Sequence, residues 1–459
     1  MEHNRIGSEA QDSIHVSSKI HDFFDHFRIG TLLHQCGVRK RHGYSVRSLI
    51  VAIFALPFFG KNFFRGIVTN EQSTIGKDAA YDLLKGCTYN WRRLLLMLAA
   101  RIHGIFSRLT DDEREDVLII DDSTYDRSRS KKVELLSRVF DHSTGRYLRG
   151  FRLLTVCWSD GVSTLPLDFT LLSSAKANNR YQESTKQVDK RCCAYRRRQE
   201  ATVKATEHLG PMVERILKAG INARYVLMDT WVTMPSNMAA LRKYLDVIGM
   251  LKKTSKIHYE HDGHKRDLTT IHQKLRKRPG RARILASTIV TLKDQAPAKI
   301  VFVRDRRKTD WLALLSTDIH LSDEDVVRIY GKRWDIEVLF KMAKQHLNLA
   351  KEIQCRDFDA LIAHTTLVFM RYQFIAYCIR MESDHRSFGD LFYACCDELC
   401  DISFVEALHR ILSLAVEQLR EMGTYCERTA SAFFNTVMQV ALDRKSTRLN
   451  SSHESPARM

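Results

Sequence analysis

An α/β core flanked by helical regions is the fold class this sequence predicts. Three observations predict it. The runs "VLIIDDSTYD" from Val117 and "ARYVLMDTWVT" from Ala223 are apolar and end in acids, the mark of buried strands that emit carboxylates at their C-terminal ends. Helix-like segments alternate with such runs, which implies strands and helices layered together. Toward both ends of the chain the texture is helical, with few turn signals.

Each element follows in order. Residues 1–112 read as helical, a texture that fits a small DNA-binding module. The patch "YSVRSLIVAIFALPFFGKNFFRGI" is interrupted at Pro57, and "GKDAAYDLLKGCTYNWRRLLLMLAARI" has the cadence of two helices joined at Gly86 to Asn90. Residues 113–253 form the first part of the α/β core. Here "YLRGFRLLTVCWSDGVSTLPLDFTLLSS" predicts two strands with a turn at Ser159 to Gly161. "QEATVKATEHLGPMVERILKAGI" reads as one helix, "SNMAALRKYL" as another, and "DVIGMLKK" as a strand. Residues 254–321 change texture: a basic loop, "HQKLRKRPGRAR", precedes the strand-like runs "ILASTIVTL", "KIVFVRDRR" and "WLALLSTDI". That stretch reads as a mostly β insertion. Residues 322–350 are predicted as a helix, begun by Ser322 with Asp325 as a capping pair. Residues 351–442 look helical again.

Composition narrows the function. The chain has 459 residues and a formal net charge of +18, an excess that favours a polyanionic partner such as nucleic acid. The longest apolar run, Leu49 to Phe59, is shorter than the ~20 residues a bilayer needs. The polar N-terminus is unlike a signal peptide, so the reading is a soluble intracellular protein with no membrane partner. The 11 cysteines include no pair of CxxC motifs. Even the group Cys395, Cys396 and Cys400 lacks the second half of a zinc site, and the thiols read as reduced and mostly buried. The 19 histidines show no metal-ligand spacing.

The chemistry concentrates in "RIYGKRWDIEVLFKMAKQHL". On a continuous helix Tyr330, Arg333, Glu337 and Lys344 fall within an arc of about 60°. The adjoining face, Ile336, Leu339, Phe340, Ala343 and Leu347, is apolar and should pack on the sheet. Asp121 and Asp122 end one strand and Asp229 another. Strand ends of an open α/β sheet gather on one edge, where sites form. Three converging carboxylates there suit Mg²⁺ or Mn²⁺. Two such ions about 4 Å apart can activate an attacking oxygen and stabilise a leaving one in phosphoryl transfer. Arg333 and Lys344 are then phosphate ligands, and Tyr330 a hydroxyl donor or sugar platform.

The spacing Y-x2-R-x3-E-x6-K resembles the Y-R-E-K motif of bacterial insertion-sequence transposases of the DDE type. "LIIDDST" resembles that group's first acidic strand, "YVLMDTWV" its second, and "WLALLSTDI" the β segment before the glutamate helix. The resemblance implies a ribonuclease H-like catalytic core with a β insertion. It implies Asp122, Asp229 and Glu337 as catalytic metal ligands for Mg²⁺ or Mn²⁺, with two ions. It implies cut-and-paste transposition: strand hydrolysis, hairpin formation and strand transfer. The partners implied are double-stranded DNA, as inverted-repeat ends and target, and a second copy in a homodimer. The place implied is the bacterial cytoplasm, at the nucleoid. The group also carries a tryptophan matching Trp311, which stacks beside a flipped base. Its first acid directly precedes Ser or Thr, which selects Asp122 over Asp121, and strand alternation lets only one of the two face the metal.

Rival readings remain. The stripe could be a solvated helix face, and Asp229 a turn residue. The basic runs at 190–199 and 272–283 are candidate phosphate contacts. The tail from Asp443, "DRKSTRLNSSH", resembles a translated sequencing adapter, so residues 443–459 read as non-native. The alternative function is an inactive or truncated transposase remnant that binds element ends and inhibits. A stand-alone structure-selective nuclease would share the metal chemistry.

Overall fold

The computed structural model describes residues 18–40, 42–70, 75–110, 114–142, 144–184, 186–280, 282–305, 310–351 and 353–381. The cysteine group at 395–400, most of the C-terminal helical region and the tail from Asp443 lie outside the described residues.

Among the described residues five α-helices come first: α1 (Ser18–His26), α2 (Ile29–Gln35), α3 (Val46–Ala55), α4 (Lys77–Leu84) and α5 (Trp91–Leu109). Pro57 sits in a 3₁₀ turn directly after α3, so the expected interruption is there. The Asn90 side chain caps α5 by accepting from the Arg93 backbone N–H.

The sheet follows. Its first strands are β1 (Val117–Asp126), β2 (Ser137–Asp141), β3 (Arg146–Ser159) and β4 (Thr164–Leu172). The segment expected to be one helix is two, α6 (Cys193–Ala201) and α7 (Ala205–Lys218). The break falls at Thr202–Lys204, where β-branched residues with poor helix propensity meet. Pro211 is inside α7, where it removes one backbone donor. Then come β5 (Tyr225–Met228), α8 (Pro235–Leu241), β6 (Asp246–Met250), β7 (Tyr259–His261), β8 (His264–Arg266) and α9 (Leu268–Lys274). The three predicted strand runs form β9 (Ile284–Thr291), β10 (Pro297–Asp305) and β11 (Asp310–Ser316).

The 11 strands of the described residues share one mixed sheet in the order β2-β3-β1-β5-β6-β11-β10-β9-β7-β8, with β4 also paired to β3. The strands of 254–321 therefore do not stack as a separate layer. They prolong the sheet from β6 through the antiparallel β11. β1 is central, parallel to β5 and antiparallel to β3, and Val117–Ile120 are fully buried. Burial on both faces explains why that run is continuously apolar rather than alternating. Each such side chain contributes roughly 1.5–3 kcal/mol.

Three helices complete the described residues: α10 (Asp323–Gly331), α11 (Trp334–Gln345) and α12 (Phe358–Met381). The single helix expected from Ser322 is thus corrected to two. The Ser322 cap is present, accepting from the Asp325 backbone N–H. At Gly331 to Arg333 the ladder slips to i→i−3 bonds: Lys332 N donates to the Ile329 carbonyl and Arg333 N to the Tyr330 carbonyl. Glycine's poor helix propensity makes this the natural place for a tightened turn. The apolar face Ile336, Leu339, Phe340, Ala343 and Leu347 is buried. α12 is buried nearly all round, as a central helix must be, and its buried Arg371 donates to the carbonyls of Phe54 (2.9 Å) and Ile53 (2.6 Å).

Candidate active site

The register of β1 decides the geometry. Ile120 lies opposite Met228 on the parallel β5, so Asp121 and Asp229 leave the two strands side by side. On the other flank Asp121 is opposite Thr155, Ile119 opposite Cys157, and Val117 opposite Ser159. Residues opposite one another share a face of the sheet. Ser159 Oγ donates to Asp335 Oδ2 of α11 at 2.6 Å, so α11 lies over the face that carries Asp121. Arg333 then joins two acids: Nη1 donates to Asp121 Oδ2 at 3.3 Å and Nη2 to Glu337 Oε1 at 2.5 Å.

Asp122 occupies the other face. It is ion-paired with Arg152 Nε, whose guanidinium also covers the Trp231 ring at 4.4 Å from the centroid. Trp231 Nε1 reaches back toward Asp121 Oδ1 at 3.5 Å. The structure therefore brings Asp121, Asp229, Arg333 and Glu337 together and sets Asp122 on Arg152.

The electrostatics follow. Burial pushes the Asp121 carboxyl up to about 7, and the charges of Asp122 and Asp229 add to the rise, against the Asp122 backbone N–H and Arg333. Burial also raises Asp122, opposed chiefly by Arg152. Tyr330, at the end of α10, has its hydroxyl buried without a hydrogen-bond partner among the described residues. Burial raises that phenol and disfavours its ionised form. Lys344 is held below its ordinary value by burial, while Asp141, Asp126 and Asp122 act against this.

Trp311, near the start of β11, is packed rather than open. It stacks on His272 (4.6 Å between centroids, 23° between planes), meets Phe302 edge-on at 5.2 Å, and carries Lys253 Nζ 3.9 Å from its ring centre. The basic run 190–199 is partly structural, because Arg197 and Arg198 are buried on Asp359 and Glu134. In the run 272–283, Arg278 pairs with Asp323 and Glu324.

Two acid-bearing strand ends thus lie beside an arginine–glutamate pair. The profile of the DDE superfamily endonucleases matches residues 69–311, more than half of the chain. The chain belongs to the DDE superfamily endonucleases. No curated protein matches it. The matched stretch holds Asp121, Asp122 and Asp229 and ends at Trp311, before the helix that carries Glu337. Endonucleases of this superfamily act on DNA and generally depend on a divalent metal.

The donor chemistry of this DDE endonuclease fits such an ion. All the converging acids are hard oxygen donors, and Asp121, raised chiefly by burial, also feels the charges of Asp122 and Asp229. As the side chains stand, no three acidic, histidine or cysteine residues among the described ones are close enough to hold an ion together. Glu337 is turned onto Arg333 and would have to rotate. Among the described residues, no helix is long and apolar enough to cross a membrane. Sequence reasoning missed Arg152 and Trp231. Trp231 carried a signal, two residues after Asp229, but Arg152 lies 30 residues from Asp122 and only the β1–β3 register brings them together.

Proposed function

We propose that this DDE endonuclease is a transposase that moves a DNA element by cut-and-paste phosphoryl transfer at inverted-repeat ends. One observation carries the reading: Arg333 bridges Asp121 and Glu337 at the strand end where Asp229 emerges. The strand order β4-β3-β1-β5-β6, three antiparallel strands followed by two parallel ones, supports a ribonuclease H-like core.

In this reading Asp229, Glu337 and one β1 aspartate hold the divalent ion, Mg²⁺ or Mn²⁺. Asp121 is the better β1 candidate than the sequence-expected Asp122, because it shares the face under α11 and Asp122 is already satisfied by Arg152. A divalent cation there supplies Lewis-acid stabilisation of charge on phosphoryl oxygens. The chain's own groups orient the substrate. Arg333, once released by Glu337, forks onto a phosphate. The orphaned Tyr330 hydroxyl donates to a phosphate oxygen or sugar. Lys344 adds a point charge. Trp311 supports an extruded base once Lys253 moves aside. Hairpin formation, strand transfer and a dimeric synaptic complex belong to the same proposal.

The test is excision of a marked element between its genomic inverted repeats. Glu337→Gln, Asp229→Asn and Asp121→Asn should each lower excision at least ~100-fold while end binding survives within about threefold. Asp122→Asn should retain measurable excision. Excision that survives Glu337→Gln sinks the site. Loss in Asp122→Asn together with survival in Asp121→Asn returns the first acid to Asp122.

A further inference from the structure

Beyond the catalytic edge, β2 and the first half of β3 form a two-stranded ribbon past the end of β1. Arg138 pairs opposite Arg149 and Phe140 opposite Tyr147, so all four stand on one face. Further along β3 that face continues through Phe151 and Leu153 to Thr155, the residue opposite Asp121. The ribbon thus prolongs the side of the sheet that carries the candidate site.

Its surface is unlike an ordinary solvated strand. Tyr147 is 60% exposed, Phe140 39% and the flanking Tyr181 45%. The Arg138 guanidinium lies 3.8 Å from the Tyr147 ring centre, Arg149 lies 5.0 Å from that of Tyr181, and the Phe140 and Tyr147 rings meet at 5.1 Å. Among the described residues neither Arg138 nor Arg149 has a carboxylate within ion-pair distance. Stacking on the rings holds both guanidiniums extended with their hydrogen-bond edges unspent. Gly150 is where β3 meets both the end of β1 and the start of β2, and a Cβ there would sit 2.2 Å from the Tyr125 carbonyl oxygen.

We propose that this face is a DNA-tracking surface. Arg138 and Arg149 contact two phosphates of the duplex that leaves the catalytic edge, and Tyr147 and Phe140 stack on sugars or frayed bases. The proposal rests on the transposase reading and names where its DNA runs. Charge complementarity commits it to a polyanion. Ring exposure favours nucleic acid, since every base offers a π-face.

The experiment measures binding of the full chain to a fluorescent 40-bp duplex of random sequence across a salt series. Arg138→Gln with Arg149→Gln should weaken binding about tenfold and reduce the slope of log K against log salt by about 1.8, as two phosphate contacts require. Tyr147→Ala should cost several-fold on a duplex with an unpaired 3′ end, and Tyr147→Phe should restore it. A control, Lys218→Gln with Lys243→Gln, removes two exposed charges on other elements. Melting curves identify any variant that fails to fold, and the arginine variants can then be repeated one at a time. Wild-type affinity and slope in the arginine variants, or an equal loss in the lysine control, overturns the ribbon alone. Absence of duplex binding by the unmodified chain overturns the transposase reading with it.

Discussion

Asp121 and Asp122 are adjacent and chemically identical, yet the fold gives them different partners. Asp122 faces Arg152 and is held in a largely buried ion pair. Asp122→Asn leaves an Arg152 that is a third exposed and removes a carboxylate whose charge burial disfavours, so it should change stability by less than about 1 kcal/mol. A double-mutant cycle with Arg152→Met should return a coupling of about 1 kcal/mol or more in denaturant titrations. Coupling near zero would mean that the two side chains do not meet in solution. Asp121 instead faces Arg333, Trp231 and the charge of Asp229. Asp121→Asn relieves that crowding, so this variant should lose activity without losing stability.

The turn between α10 and α11 sets where Tyr330 and Arg333 stand relative to each other. α10 is anchored to the start of β1 by Arg328, which donates to Glu115 at 2.8 and 2.5 Å. Hydrogen bonding to Arg328 holds the Glu115 carboxyl down to about 2. A depressed carboxylate contributes stability above its unfolded value near 4.5 and loses it as pH falls toward 2. Arg328 is half exposed, so solvent screening reduces the contribution to about 1 kcal/mol. Glu115→Gln should accordingly lower the melting temperature at pH 7 by about one degree and change it little near pH 2. An equal effect at both pH values would exclude the ion pair as the cause. The helix cadence from Ser322 was legible in the sequence. The slip at Gly331 was not, because right-handed backbone angles persist through it and only the hydrogen-bond ladder changes.

At the scale of the molecule, one buried charge cluster ties distant segments together. Asp359, fully buried at the start of α12, accepts from Arg197 (2.5 Å) and Arg198 (3.0 Å), with Lys186 at 3.3 Å. Arg198 also pairs with Glu134 at 2.7 Å. Burial alone would raise the Asp359 carboxyl, but the charges of Arg197 and Arg198 pull it below its ordinary value. Asp359→Asn should cost about 3–5 kcal/mol, read as a lower denaturation midpoint with an unchanged slope. A loss below ~1 kcal/mol would show that the cluster relaxes. The same contacts explain why a run that looked like a phosphate-binding surface is half interior: "KRCCAYRRRQ" is basic by composition, but Arg197 and Arg198 are counterbalanced by acids 64 and 162 positions away.

By itself the sequence determined what depends on neighbours along the chain. Four apolar residues in a row made β1 a buried strand, Pro57 stopped a helix, Ser322 began one, and the runs of 284–316 formed three strands. These are matters of periodicity, propensity and capping, and they act within a few residues. Tertiary structure decided what depends on register between distant segments. Strand alternation says that one of Asp121 and Asp122 faces the glutamate helix, but only the pairing of β1 with β3 and β5 says which. Likewise Arg138, Phe140, Tyr147 and Arg149 become one surface only when β2 lies against β3. A shift of one residue in either pairing would send every one of these side chains to the opposite face.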